Sequence, residues 1–280
     1  MPTVLSVQSW VACGHVGNCA ALFALQRLGI ETWSLNTVAF SNHTGYGKWR
    51  GGAVPAHQIA ELFEGIAELG ALPRCDAVLS GYLGEAETGP ALLDIVARVR
   101  QANPRAVYCC DPVMGDTGTG CYVRAGVPEF YRDRALAIAD VATPNRFELE
   151  WLTGSRVNTL GEAAVAAEAL RRRGPGIVLV TSLEPAPDRL AVVAAGPDGA
   201  WAVETPRLPI EATGCGDALA ALFLGWLLKG EPVPEALAKT VAAIWGVVEA
   251  TLRAGGGELA LIAAQDELVA PSRALFPQKL

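Results

Sequence analysis

The sequence predicts an α/β fold, a central and mainly parallel sheet with helices on both faces. Three observations lead there. Strand-like and helix-periodic runs alternate along the chain, polar clusters follow the strand-like runs, and no linker or internal repeat divides the 280 residues. Alternation of this kind joins parallel strands through helical crossovers.

Taken in order, "TVLSVQS" reads as a buried strand and "NCAALFALQRLG" as a helix ended by Gly29. "ETWSLNTVAF" is a second strand. In "AHQIAELFEGIAELG", Ile59, Leu62, Phe63 and Ile66 fall on one helix face. "DAVLSGYLG" is a strand entering a Gly-bounded loop, and Leu92, Ile95, Val96 and Val99 repeat the helical spacing in "PALLDIVARVRQANP". "AVYCCDPVMGD" and "DVATPN" are strands ending in polar or proline residues. "TLGEAAVAAEALRRRG" opens with Thr159 and Glu162 at capping-box spacing and closes on basic residues and Gly174. "GIVLVTSL" is another central strand. Two β-rich runs flanking "GPDG" then read as a hairpin. The chain closes with helices, including "PEALAKTVAAIWGVVEATLRAG".

In a sheet of this kind ligands bind beyond the carboxyl ends of the strands. Gln8-Ser9, Ser80-Gly81-Tyr82, Asp111-Pro112, Pro144-Asn145 and Thr181-Ser182 all follow strands. Their convergence on one rim predicts a site.

The net charge of −7 argues against a nucleic-acid or anionic-membrane surface. The seven cysteines form no C-x-x-C pair and show no metal-ligand spacing. They read as reduced, mostly buried thiols of a cytoplasmic protein. "MPTVLSVQSW" lacks the features of a signal peptide. The longest uncharged helix-like run, Ala218 to Leu228, is shorter than the roughly 18 residues needed to span a bilayer. A soluble, cytosolic protein is expected.

"EATGCGDALAALFLGWLLKG" places two glycines and an aspartate before an almost wholly apolar helix. Glycines let the backbone approach a ligand, and the first amides of the helix point outward unpaired. The macrodipole adds about half a positive charge at that end. A phosphate suits the position, and Asp217 makes sense there if it touches the hydroxyl that attacks the phosphate. The plainer alternative is that Asp217 is an N-cap and the glycines form a turn. Neither a Walker-type P-loop nor a dinucleotide G-x-G-x-x-G is present at the relevant junctions.

"TGCGDALAA" resembles the G-x-G-D signature of the ribokinase-like kinases. "SVQSWVACGHVGNCAALFALQRLG", "LNTVAFSNHTGYGKW", "VLSGYLG", "CDPVMGD" and "TPNRFELEWLTG" follow in the order and spacing of the pyridoxal kinases, over essentially the full length. The resemblance implies a ribokinase-like three-layer sandwich, residues 1–280 as one kinase domain without a separate lid, and a homodimer. The implied reaction is ATP-dependent phosphorylation of the 5′-hydroxymethyl of pyridoxal, with pyridoxine and pyridoxamine as further substrates.

The resemblance also implies residue roles. Asp217 would be the catalytic base, and Gly214, Cys215 and Gly216 would donate backbone N–H groups to the transferred phosphoryl, Cys215 through its amide and not its thiol. Neighbouring amides should hold Asp217 ionised. Asp111 and Glu148, with Asp116 assisting, would organise Mg²⁺, often through water, and Asn145 completes the N-x-x-E pattern. Read alone, Glu148 is an acidic first-turn residue and Asp111 a strand-end cap. Thr181, Ser182 and Thr213 would bind ATP phosphates, and Tyr122 would line the nucleotide side. Ser9, Phe40, His43, Thr44 and Tyr82 would form the vitamin pocket, a flat apolar wall with a few polar partners. His15 and His57 read as structural. A need for K⁺ stays open.

Trp10 stands where the family commonly has histidine, and Cys13 where it often has a larger residue, which leaves vitamer preference open. The "GPDG" hairpin and "LEPAPDR", within residues 185–205, read as a flap over ATP. Two other functions fit parts of the pattern: hydroxymethylpyrimidine kinase, disfavoured by "FSNHTGYGKW", and a non-catalytic pyridoxal carrier, disfavoured by the intact "GCGD".

Overall fold

Alternating side chains on the central strands feed two separate cores. Val4, Leu79, Cys109 and Leu179 bury on one face of the sheet, whereas Leu5, Val78, Cys110 and Val178 bury on the other. The period of two that places them so is the pleat itself. A computed structural model describes all 280 residues. Its strands are β1 (Thr3–Val11), β2 (Glu31–Phe40), β3 (Gly51–Ala53), β4 (Ala77–Ser80), β5 (Val107–Cys110), β6 (Gly115–Asp116), β7 (Gly120–Cys121), β8 (Val141–Ala142), β9 (Ile177–Ala186), β10 (Arg189–Gly196), β11 (Gly199–Pro206) and β12 (Gln278–Lys279). Ten of them form one sheet in the order β12-β11-β10-β9-β8-β5-β4-β1-β2-β3, and β6 with β7 makes a small separate ribbon. From β9 through β2 every neighbouring pair is parallel, while β3, β10, β11 and β12 add antiparallel edges.

Helices α1 (Asn18–Arg27), α7 (Cys215–Leu228) and α8 (Val233–Arg253) cover one face. Helices α2 (Ala56–Glu68), α3 (Thr88–Ala102), α4 (Val127–Phe130), α5 (Arg146–Thr153) and α6 (Leu160–Arg171) lie on the other. The result is the predicted three-layer sandwich. Helix α7 is apolar nearly all round because the sheet lies beneath it and α1 and α8 flank it, leaving Ala218 to Trp226 buried without interruption. No helix is long and apolar enough to cross a membrane.

The capping box at Thr159 and Glu162 forms as expected, with each side chain accepting from the other residue's amide. A second box, Asn145 with Glu148, opens α5. The sequence pattern missed β3, β6, β7 and β12, each two or three residues long, because so short a run shows no period.

Parallel strands end on a common rim, so the loops after β1, β2, β4, β5, β8 and β9 all open there. The flap expectation needs correction. Strand β10 pairs with β9 antiparallel over Arg189–Ala195, so it returns the chain to the opposite edge, and the "GPDG" turn lies there, away from the rim. "LEPAPDR", in contrast, lies on the rim side, where the ends of β9 and β10 and the Pro187-Asp188 turn extend past the Thr181–Asn145 bridge.

Candidate active site

Gly214, not Asp217, caps α7. It adopts φ 88° and ψ 0°, and no side chain bonds the helix end. A β-carbon at 214 would sit 1.8 Å from the His15 carbonyl oxygen, so only glycine permits this approach of two loops. The first helical bond runs from the Ala218 amide to the Gly214 carbonyl at 3.1 Å. The amides of Cys215 and Gly216 precede it and have no partner in the helix, which is the arrangement an anion needs. Asp217 stands in the first turn with its carboxyl released from capping.

Burial pushes the Asp217 carboxyl above the usual carboxylate range, while the Gly17 amide, the His43 imidazole and its own amide pull it back. The amides thus act in the direction expected of them, favouring the ionised form, against a larger desolvation. An elevated pKa makes Asp217 a stronger base than an exposed aspartate. The Cys215 thiol is pushed up to about 12 by burial and by Asp217, so the thiolate does not form at neutral pH and the backbone remains its useful group.

Asp111, at the end of β5, and Glu148, in the first turn of α5, are both buried. The Thr143 hydroxyl donates to Asp111 Oδ1 at 3.0 Å, and Oδ2 has no protein donor. Burial and then Asp217 raise Asp111 to about 8. Glu148 is raised by burial and by Asp111, against the amides of Asn145 and Met114, which donate to Oε2 at 2.8 Å and Oε1 at 2.9 Å. No lysine or arginine is among the charges acting on Asp111 or Asp217. Asp111 and Glu148, raised first by burial and then by a neighbouring carboxyl, with no lysine or arginine acting on them, fit a bound cation. No three acidic, His or Cys side chains converge closely enough to hold one alone. A small hard ion that keeps its waters and leans on phosphate oxygens fits this donor set.

The Asn145 side chain ties two elements together: its Oδ1 accepts from the Glu148 amide at 2.9 Å and its Nδ2 donates to the Gly115 carbonyl at 2.7 Å. These two bonds place Glu148, and one N–H of Nδ2 and one lone pair of Oδ1 remain. Asp116 is exposed on β6, its Oδ1 accepting from the Thr117 amide at 2.6 Å, and its charge reaches the Tyr122 phenol. Tyr122, directly after β7, is 52% exposed overall; partial desolvation raises its phenol first, and the charges of Glu148, Asp217, Asp111 and Asp116 raise it further.

Thr181 bridges the backbone at Asn145, which sets β9's rim end beside the head of α5. Ser182 takes φ 57°, the one non-glycine residue with positive φ. It falls where β9 and β10 slip register between Val180 and Leu183, a bulge that turns the strand end. Thr213 pairs with Glu258.

On the other side of Asp217, Ser9 sits at the register shift of β1, between the Gln8 and Trp10 pairs with β2. Its Oγ and carbonyl would lie 2.2 and 2.3 Å from a β-carbon at Gly17, so the glycine brings the head of α1 onto Ser9. Phe40 closes β2 and meets Trp49 edge-on at 6.4 Å. His43 caps a single turn, Thr44–Tyr46, its Nδ1 accepting from the Gly45 amide at 3.2 Å. Thr44 is exposed, Tyr82 is half-buried after β4, and Trp10 is exposed beside Ser9. The fold thus carries Ser9, Phe40, His43, Thr44 and Tyr82 to the rim, with His43 close enough to act on Asp217.

Gly17, Thr143, Tyr46 and Glu258 escaped the sequence reading. The glycines of "GHVGN" and the "GGGE" run were the available signals. Their partners lie far away in sequence: Glu258 Oε2 accepts from the His15 amide at 2.9 Å, and Oε1 from the Tyr46 hydroxyl at 2.5 Å.

With this geometry in hand, comparison with known proteins is specific. Residues 36–261 match the family model described as phosphomethylpyrimidine kinase. A pyridoxal kinase, PdxY, of Rubrobacter xylanophilus is 56% identical over 96% of this chain and 94% of its own length. A pyridoxal kinase, PdxY, of Granulibacter bethesdensis is 50% identical over 98% of this chain and 99% of its own. Among solved structures, pyridoxal kinase from Leishmania donovani in complex with ADP and pyridoxine superposes with TM-score 0.93 at 32% identity, covering 99% of each chain. Pyridoxal kinase from Entamoeba histolytica gives TM-score 0.92 at 25% identity, over 100% of this chain and 99% of that one.

Proposed function

The chain belongs to the pyridoxal kinases, and from that premise we propose that the cleft behind Gly214 is where it moves phosphate from ATP to a B6 alcohol. The overall activity is ATP-dependent phosphorylation of B6 vitamers. One observation carries the assignment of the cleft: Asp217 stands uncapped in the first turn of α7, one residue after two amides without helical partners.

The amides of Gly214, Cys215 and Gly216 grip the transferred phosphoryl as charge develops on it, and Asp217 accepts a hydrogen bond from the vitamer's 5′-hydroxyl. An alkoxide is too basic to form first, so Asp217 orients the oxygen and takes its proton late in the transfer. The alcohol oxygen bonds to phosphorus, the bond to ADP breaks, and the proton leaves through Asp217 to solvent. Thr181, Ser182 and Thr213 hold the donor's phosphates, with Tyr122 beside them. Ser9, Phe40, His43, Thr44 and Tyr82 hold the pyridine. Asp217's elevated pKa serves proton acceptance, and the Gly17 amide aims the carboxyl.

A divalent metal serves the nucleotide, and we assign Mg²⁺, with Asp111 and Glu148 as the residues that organise it and Asp116 assisting. When bound, the ion offsets phosphate charge. We take residues 1–280 as one kinase domain and place the protein in the cytoplasm as a homodimer, in line with its free thiols and its kinship; light scattering at twice the chain mass would bear out the dimer, and a monomer mass would refute it.

The experiment that tests the substrate measures kcat/KM for pyridoxal and for hydroxymethylpyrimidine side by side with Mg-ATP. Pyridoxal is expected to win by at least about 100-fold, the discrimination that a pocket built around substrate polar groups reaches. Preference for the pyrimidine, or binding of pyridoxal without product, would overturn the assignment.

A further inference from the structure

The loop that carries His43 and Thr44 is held down by one side chain from the far end of the sequence. Within residues 42–49, hydrogen bonds are internal: Asn42 Nδ2 donates to the His43 and Lys48 carbonyls, at 3.0 and 2.9 Å, and the Thr44–Tyr46 turn closes on itself. At the base, Ser41 pairs with Arg50, and the Cys13 amide donates to the Ser41 carbonyl at 2.9 Å. The only hydrogen bond from the tip to the rest of the molecule is the Tyr46 hydroxyl on Glu258 Oε1, 2.5 Å long. Tyr46 is otherwise 58% exposed, so packing does little to fix it.

Glu258 is placed with care. Gly255, Gly256 and Gly257 all take positive φ, 96°, 86° and 96°, a path that other residues follow only at a cost. The Gly256 amide and the Ala260 amide are tied to Thr251, at 2.9 and 3.0 Å, and Leu259 and Leu261 anchor the following segment in the core. The carboxyl then reaches Gly14, where a β-carbon would lie 2.7 Å from it. Its second oxygen holds the His15 amide, and the His15 carbonyl presses on Gly214. The Glu258 backbone also pairs with Thr213.

We propose that Glu258 is a positioning residue for the acceptor side of the site: through Tyr46 it latches the 42–49 loop over the vitamer, and through His15 it keeps that latch in register with the Gly214 anion hole. The inference rests on the kinase reading of the cleft. A latch of this kind sets how often the loop is closed around the vitamer, and with it how well water is excluded from the phosphoryl group. Its loss therefore acts on vitamer KM before it acts on ATP.

The test uses Tyr46→Phe, Glu258→Ala and Glu258→Gln in the full chain, with steady-state kinetics and hydrogen exchange of residues 42–49. Tyr46→Phe is expected to raise KM for pyridoxal about tenfold, the loss of one hydrogen bond to a charged group. KM for ATP and the melting temperature should stay at wild-type values, and exchange in 42–49 should quicken. Glu258→Ala should add a drop in kcat through the His15 side. Glu258→Gln, whose amide can serve both partners, should restore most of both. Wild-type KM and wild-type exchange in Tyr46→Phe would overturn the latch. If wild-type enzyme makes no product, the kinase reading fails, while the exchange of 42–49 still decides for or against the latch.

Discussion

The Asp217 carboxyl, which we propose as the base, is set by a contest between burial, which lifts its pKa, and the Gly17 amide and His43, which lower it. An acid so raised is ionised only above a higher pH, so activity should be lost on acidification at a higher pH than an exposed aspartate near 3.9 would give. The acid limb of the kcat/KM profile measures this, and Asp217→Asn should lack that limb in whatever activity remains. Asp111 makes the opposite kind of demand. Its pKa in the fold, about 8, lies above its unfolded value, so the fold prefers it protonated. Stability is then lost as pH rises from the usual carboxylate range through about 8. Asp111→Asn should melt a few degrees higher than wild type at pH 8 without ligand, with the gap closing toward pH 5, while losing kinase activity. Thermal melts across that range check it. Asp217 was legible in the sequence because its glycines are its immediate neighbours; Glu258 was not, since its two partners lie 243 and 212 residues away.

Among the elements, α7 carries the site by what it lacks. A side chain at Gly214 would collide with the His15 carbonyl, so Gly214→Ala must push apart the two loops that flank Asp217. Turnover should fall about 100- to 1000-fold, the loss of an aimed anion-hole donor, with retained secondary structure by circular dichroism. Wild-type turnover in this variant would show that the amides are not aimed at the phosphoryl. The bulge at Ser182 shows the same economy at the rim end of β9, where a strand end is bent by a residue at φ 57°. Long, strongly periodic elements such as β2, α2 and α6 were readable from their spacing. The small β6 ribbon and the direction of the "GPDG" turn were not, because direction in a sheet depends on pairing, and pairing is non-local.

At the scale of the molecule, the parallel sheet brings residues from positions 9 to 217 onto one rim, with two cores of similar extent holding it from either side. Polar residues at strand ends predicted that rim because parallel strands all finish on the same side. What composition and periodicity left open was the chemistry, which lies in a few glycines and carboxylates. The measurement that bears most directly on it is formation of phosphorylated vitamer from Mg-ATP by wild type and Asp217→Asn, alongside equilibrium binding of both substrates. The variant is expected to bind pyridoxal and ATP as wild type does while kcat falls about 100- to 10,000-fold, the range of a lost general base. Turnover within a few-fold of wild type would contradict the account.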